Sequence, residues 1–180
     1  MPEIDLNQDH RGFSLIELSL LVGLVALVSA FSIPMLSSAM DDMQMIGDAR
    51  NIATALTYAK ISSTAQMIHY RVSFDLGGSQ WNVERETSQN AGEFETEQAI
   101  NSLCNGDANS DIAFKSNSGS APAGFPAASV NAITFNSRGM PIGGAQIIYL
   151  TKPDADFAVS VSLTGRIQVW RNRDNQWITQ

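Results

Sequence analysis

The sequence predicts an α+β protein in which a long N-terminal α-helix packs on an antiparallel β-sheet head. Three observations predict it. From Phe13 to Leu36 every residue is apolar or small except one charged residue, Glu17. After that block, apolar residues recur at helical spacing. The rest of the chain alternates apolar and polar residues in short runs bounded by turn residues. At 180 residues there is room for one ordinary domain and an extra element.

The apolar block comes first. As a helix, about 24 residues at about 1.5 Å each extend roughly 36 Å, enough to cross a bilayer with some tilt. Residues 1–12 are polar and contain one base, Arg11, while Asp41 and Asp42 follow the block. That asymmetry favours a cytoplasmic N-terminus, with the remainder outside. A secretory signal peptide is the competing reading, with Leu18 to Val28 as its apolar core and Val28-Ser29-Ala30 as its cleavage site. Two features oppose it: the leader is net acidic, and Glu17 lies near the head of the apolar run. A carboxylate at the bilayer centre costs about 2.5–3.5 kcal/mol, less near the interface, so its presence there points to function.

Pro34 lacks an N–H and clashes with the carbonyl of Ala30, which predicts a kink or a loosened turn. Beyond it, Met43, Ile46, Ala49, Ala53 and Leu56 recur at three and four, a helical stripe interrupted by the weak point Gly47. One helix is expected from about residue 13 to about residue 64. Its parts are a transmembrane segment, 13–36, and an amphipathic half, 37–66, followed by a β-rich head, 67–180.

In the head, Ile68, Tyr70, Val72 and Phe74 alternate with polar residues, and Gly77-Gly78 turns the chain into a second strand with Trp81 and Val83. Ile133 and Phe135 begin another strand, before the turn Asn136-Ser137-Arg138-Gly139. Ala145 to Leu150 and Phe157 to Leu163 are predicted strands, and Thr164-Gly165-Arg166 turns into a last one, Ile167 to Trp170. Between them, about residues 86–131, lies a long polar insert rich in Gly, Ser, Asn and Ala.

Net charge is −7, and −5 without the first twelve residues, so general affinity for nucleic acid is not expected. Cys104 is the only cysteine and forms no internal disulfide. Of the two histidines, His10 lies in the polar N-terminal stretch and His69 on the polar face of a strand. No catalytic pair and no enzymatic activity are expected. Asp107-Ala108-Asn109-Ser110-Asp111 starts like a calcium loop, but Ile112 replaces the required glycine and Ser118 the bidentate Glu. Neither a metal nor a small-molecule cofactor is expected. Arg166, Arg171 and Arg173, interleaved with Trp170 and Trp177, form the one basic cluster that offers a DNA-binding candidate, opposed by Asp174 and the acidic chain.

Arg11-Gly12-Phe13-Ser14-Leu15-Ile16-Glu17-Leu18 resembles the processing site of type IV prepilins and type II secretion pseudopilins. The resemblance implies that residues 1–12 are a leader, cut by prepilin peptidase between Gly12 and Phe13, and that Phe13 is then N-methylated. It gives Glu17 the assembly role and makes Pro34 the helix kink. After cleavage, an amine at Phe13 offers Glu17, or a neighbour's equivalent, an opposite charge in low dielectric. The usual Thr after Phe is Ser14 here.

The head resembles the H-type minor pseudopilins and minor pilins grouped as GspH/FimT. The residues that carry this likeness are Ala59 to Ala65, Val72 before Trp81, Thr134 to Gly139, and Leu163-Thr164-Gly165-Arg166. The function implied is a minor pseudopilin of a type II secretion system, a structural subunit of the periplasmic pseudopilus. It is expected to be held once through the inner membrane, with its head in the periplasm and other pseudopilins or pilins as partners. The alternatives are a type IV minor pilin in pilus assembly or DNA uptake, and a Sec-exported soluble binding domain. The DNA-uptake element of the family, Gly-Arg-x-Arg, is incomplete here, because Gln168 follows Gly165-Arg166-Ile167.

Overall fold

The computed structural model describes residues 14–87, 92–98, 100–103, 112–115, 119–152 and 155–180, with the backbone alone for 31–39 and 41. Gly12, Phe13, Cys104, Asp107 to Asp111 and Ser118 lie outside the described residues. One helix, α1, spans Leu15–Gln66 and runs through Pro34 as a single element, ending two residues beyond the expected Thr64. Met67, at φ 60°, turns the chain out of it in the left-handed region that more often takes glycine. The chain forms two compact units, divided between Asp41 and Asp42.

In the second unit the buried face of α1 is centred on Met45, Ala49, Ile52, Leu56, Ala59 and Ser63, with Ala55 and Ser62 buried beside it. The central six alternate steps of four and three, the spacing of one helix face. The predicted stripe is therefore displaced. Ala49 and Leu56 are in the core and Ile46 and Ala53 flank it, but Met43 is 72% exposed. Three-and-four spacing fixes the period of a stripe, while its phase depends on which side meets the sheets.

The strands form two antiparallel sheets, where a single sheet was expected. The first holds β1 Tyr70–Asp75, β2 Gln80–Glu86, β3 Phe94–Thr96, β4 Asn101–Ser102 and β5 Ala132–Phe135, in the order β3-β2-β1-β5 with β4 also paired to β2. The second holds β6 Gln146–Lys152, β7 Ala155–Val161, β8 Ile167–Arg173 and β9 Gln176–Thr179 in sequence order. The division arises just after β5. Pro141 bridges back to Phe135, and the Ile142 amide donates to the Thr134 carbonyl at 2.8 Å. Those bonds close the edge of β5, so β6 begins a new sheet.

Each alternating strand buries one face: Tyr70, Val72 and Phe74 of β1, Trp81 and Val83 of β2, Ile133 and Phe135 of β5. With Ile148, Leu150, Phe157, Val159 and Val161 of the second sheet they join the α1 stripe in one core. Leu163, predicted to continue the β7 face, instead lies in the following turn and is 65% exposed.

Lys60 links all three layers. Its Nζ donates to the Gly165 carbonyl at 2.8 Å. Gly139 and Gly165 both have positive φ, 72° and 74°. A Cβ on Gly165 would meet the Gly139 carbonyl oxygen at 2.7 Å, and one on Gly139 would meet Thr64 Cγ2 at 3.0 Å. The Gly165 turn therefore lies against the backbone of the Gly139 turn, and both lie against the Lys60 side chain of α1, a closeness and a positive φ that favour glycine.

The polar insert contributes ordered structure to both sheets. β3 and β4 pair with β2 in the first sheet. The segment around Ala121 and Phe125 covers the outer face of the second, over Ile147, Tyr149, Ala158, Trp170 and Trp177. Tyr149 donates its hydroxyl to the Pro126 carbonyl at 2.7 Å, and Trp177 Nε1 donates to Ser120 Oγ at 3.1 Å. Burial pushes the Tyr149 hydroxyl up to about 12.

Candidate assembly site

The first unit carries the segment singled out by the sequence. Between Leu15 and Val28, ten large apolar side chains are exposed, from Leu21 at 44% to Leu15 at 86%. Burying each stabilises by about 1.5–3 kcal/mol, on the order of 15–30 kcal/mol for ten. A whole domain is stable by only about 5–15 kcal/mol, so this surface is built to be covered. Within the helix, two serines take their polarity inward: Ser19 Oγ donates to the Ile16 carbonyl and Ser29 Oγ to the Val25 carbonyl, each at 2.8 Å.

Glu17 stands in the first turn of α1 and is exposed. Ser14 precedes the helix and its carbonyl accepts from the Leu18 amide at 3.0 Å. Ser14-Leu15-Ile16-Glu17 has the spacing of a capping box, and a carboxylate is favoured at a helix N-terminus. Local helix physics thus accounts for an acid at that position. It does not account for one surrounded by Leu and Ile. Among the described residues no helix is long and apolar enough to cross a membrane; the side chains described in this block run only from Ser14 to Ala30.

The three arginines do not form one patch. Arg166 precedes β8 and Arg173 ends it, and seven strand residues extend roughly 20 Å. Arg171 lies between them, but its Nη2 donates to Asp42 Oδ2 at 2.6 Å and its guanidinium sits 5.4 Å from the Phe157 ring centre. Asp42 as the partner of Arg171, and Lys60 at the turn junction, were not visible in the sequence, because each contact spans more than a hundred residues.

His69 Nδ1 lies 3.0 Å from Glu86 Oε2. Burial would raise the Glu86 carboxyl, but the Gly92 and His69 amides and the His69 ring outweigh it and hold it below its usual range. Glu84 behaves alike: burial opposes, while Arg71, Ser73 and Asn82 hold its carboxyl down. A cleft of about 780 Å³ opens between α1 and the β2–β4 side, lined by Asp48, Asn51, Tyr58, Trp81, Gln98 and Asn101 among others. Among the described residues no group of His, Cys, Asp and Glu is placed to hold a metal ion.

The sequence matches the family described as type II transport protein GspH over residues 48–165, from the buried half of α1 to the Gly165 turn. The matched span excludes the exposed apolar segment, so it is independent of the processing-site resemblance. No curated protein matches the chain. Among solved structures, the type IV minor pilin FimU of Pseudomonas aeruginosa is similar at 16% identity and a TM-score of 0.47, covering 72% of this chain and 89% of that one. The minor pseudopilin EpsH from the type 2 secretion system of Vibrio cholerae is similar at 11% identity and a TM-score of 0.49, covering 68% and 92%.

Proposed function

The chain belongs to the GspH family of type II transport proteins, a pilin-like family, and on that premise we propose that it is a minor pseudopilin of a type II secretion system. It is a structural subunit and not an enzyme. Prepilin peptidase removes residues 1–12, Phe13 becomes the N-methylated first residue, and α1 holds the subunit in the inner membrane with its head in the periplasm. The subunit then moves into a filament with other pseudopilins.

The observation that carries this reading is the pairing of a family-type head with ten exposed apolar side chains on the first turns of its helix. In the membrane those side chains face lipid. In the filament they face other helices, which pack through the same dispersion contacts. The free energy that selects one register comes from Glu17: a carboxylate in low dielectric gains from an amine beside it and is costly without one.

Mass spectrometry of the mature protein tests the processing. The expected species begins at N-methylated Phe13. A species beginning at Phe31 would establish the signal-peptide reading and remove the filament role. Deletion of the gene is expected to abolish or reduce secretion of type II substrates with surface pili unchanged; loss of pili with secretion intact would assign the subunit to a type IV pilus instead.

A further inference from the structure

The two sheets treat their edges differently. The edge of β5 is closed by Pro141 and Ile142. That of β6 is closed by the insert: Ala113 exchanges both backbone bonds with Thr151 at 2.9 and 3.0 Å, the Val130 amide donates to the Ile147 carbonyl, and the Tyr149 amide donates to Ser129 Oγ. β3 is three residues long and β4 two. β9 lies at the other end of the second sheet, with β8 as its one strand neighbour among the described residues.

The register of the β8–β9 hairpin fixes which groups point outward. Asp174 and Asn175, at φ 52° and 62°, make its two-residue turn. The pairs are Arg173↔Gln176, Asn172↔Trp177, Arg171↔Ile178 and Trp170↔Thr179, and the Gln180 amide donates to the Val169 carbonyl at 3.0 Å. Hydrogen-bonded and non-bonded pairs alternate in an antiparallel ladder. Gln176, Ile178 and Gln180 therefore face β8, and the amides and carbonyls of Trp177 and Thr179 face away from it. β9 is short, at four residues, but Gln176 to Gln180 contains no charged side chain and no proline, two of the devices that blunt an edge.

We propose that β9 is a self-association edge, pairing antiparallel with β9 of a second copy of this chain about a two-fold axis through Ile178. The register follows from the outward groups. Trp177 exchanges both backbone bonds with Thr179 of the second copy, Thr179 does the same with Trp177, and four hydrogen bonds form. Ile178, 49% exposed in the single chain, then faces its own counterpart in a non-hydrogen-bonded pair, the closer kind. With no charged side chain from Gln176 to Gln180, the edge meets itself without side-chain repulsion, and the identical patch on both copies satisfies a two-fold interface. The surface lies in the head and does not depend on the filament reading.

The test uses the full-length chain with Cys104→Ser throughout. Ile178→Cys places the two thiols on Cα atoms about 4.5 Å apart, inside the range of a disulfide. Mild oxidation is expected to give a covalent homodimer joined through position 178, whereas Thr164→Cys, in a turn at the far end of β7, should give none. Adding Thr179→Pro removes an outward amide and no bond to β8. It is expected to lower the dimer yield about tenfold, two backbone bonds being lost per pair, with the circular dichroism of the chain unchanged. No dimer from Ile178→Cys, a yield indifferent to Thr179→Pro, or a cross-link to a different protein would overturn the proposal.

Discussion

Leu15–Ala30 and Met45–Ser63 are stretches of one helix written in similar residues, yet they do opposite things. The first exposes its apolar side chains all round; the second buries one face and leaves Arg50, Asn51 and Thr54 in water. A stretch apolar all round has no preferred side and needs an apolar surrounding on every side. A stripe has a direction and needs one partner, which the two sheets supply. The same helix thus serves a surrounding it does not contain and a core that it does.

Truncation is expected to separate the two stretches most sharply. Leu56→Ala, at a fully buried position, should cost the head about 2–5 kcal/mol in urea or thermal unfolding. Leu20→Ala, at 68% exposure, should leave head stability within about 0.5 kcal/mol. Equal losses would mean that the first stretch also stabilises the head.

Glycines sharpen the comparison. Gly165→Ala forces a residue with a Cβ into φ 74° against the Gly139 carbonyl, and should destabilise by about 1–3 kcal/mol. Gly47 lies in the helix with nothing within 4 Å of a Cβ, so Gly47→Ala should raise head stability by about 0.5–1 kcal/mol. Gly23→Ala meets equally open space but should not change head stability.

A smaller effect is expected from pH. Glu84 and Glu86 have folded-state values below their ordinary ones, so the unfolded chain binds more protons in that range. Their contribution is present above the ordinary carboxylate value and is lost as pH falls through the folded one. The melting temperature of the head should drop between about pH 5 and pH 3, and Glu84→Gln should flatten part of that slope. A melting temperature flat through that window would mean neither carboxylate is held by its partners.

The sequence exposed the strands that alternate and the turns that need glycine. Tyr70, Val72 and Phe74 stand on one face as expected, and Asn136 to Gly139 turns the chain. What stayed hidden depends on long-range contact. Both phases of the α1 stripe satisfy helical spacing, and only the sheets select Met45 over Met43. β9 has two apolar residues and a turn, Asp174-Asn175, without glycine, so no short-range signal marked it. The insert is polar in composition because its strands and its cover over Trp177 are short and shallow. Of the candidate assembly segment, Glu17 and the apolar block stand out in the sequence, since an acid among leucines is conspicuous in any context.

Glu17→Gln tests the central claim most directly. The variant should insert into the membrane at least as well as the parent, and its head should melt at the same temperature. Cross-linking to partner pseudopilins and secretion should be lost, because a neighbouring amine is left without its carboxylate in low dielectric. Normal cross-linking and normal secretion would show that Glu17 does no more than begin the helix, and charge pairing at the first turn would no longer explain assembly.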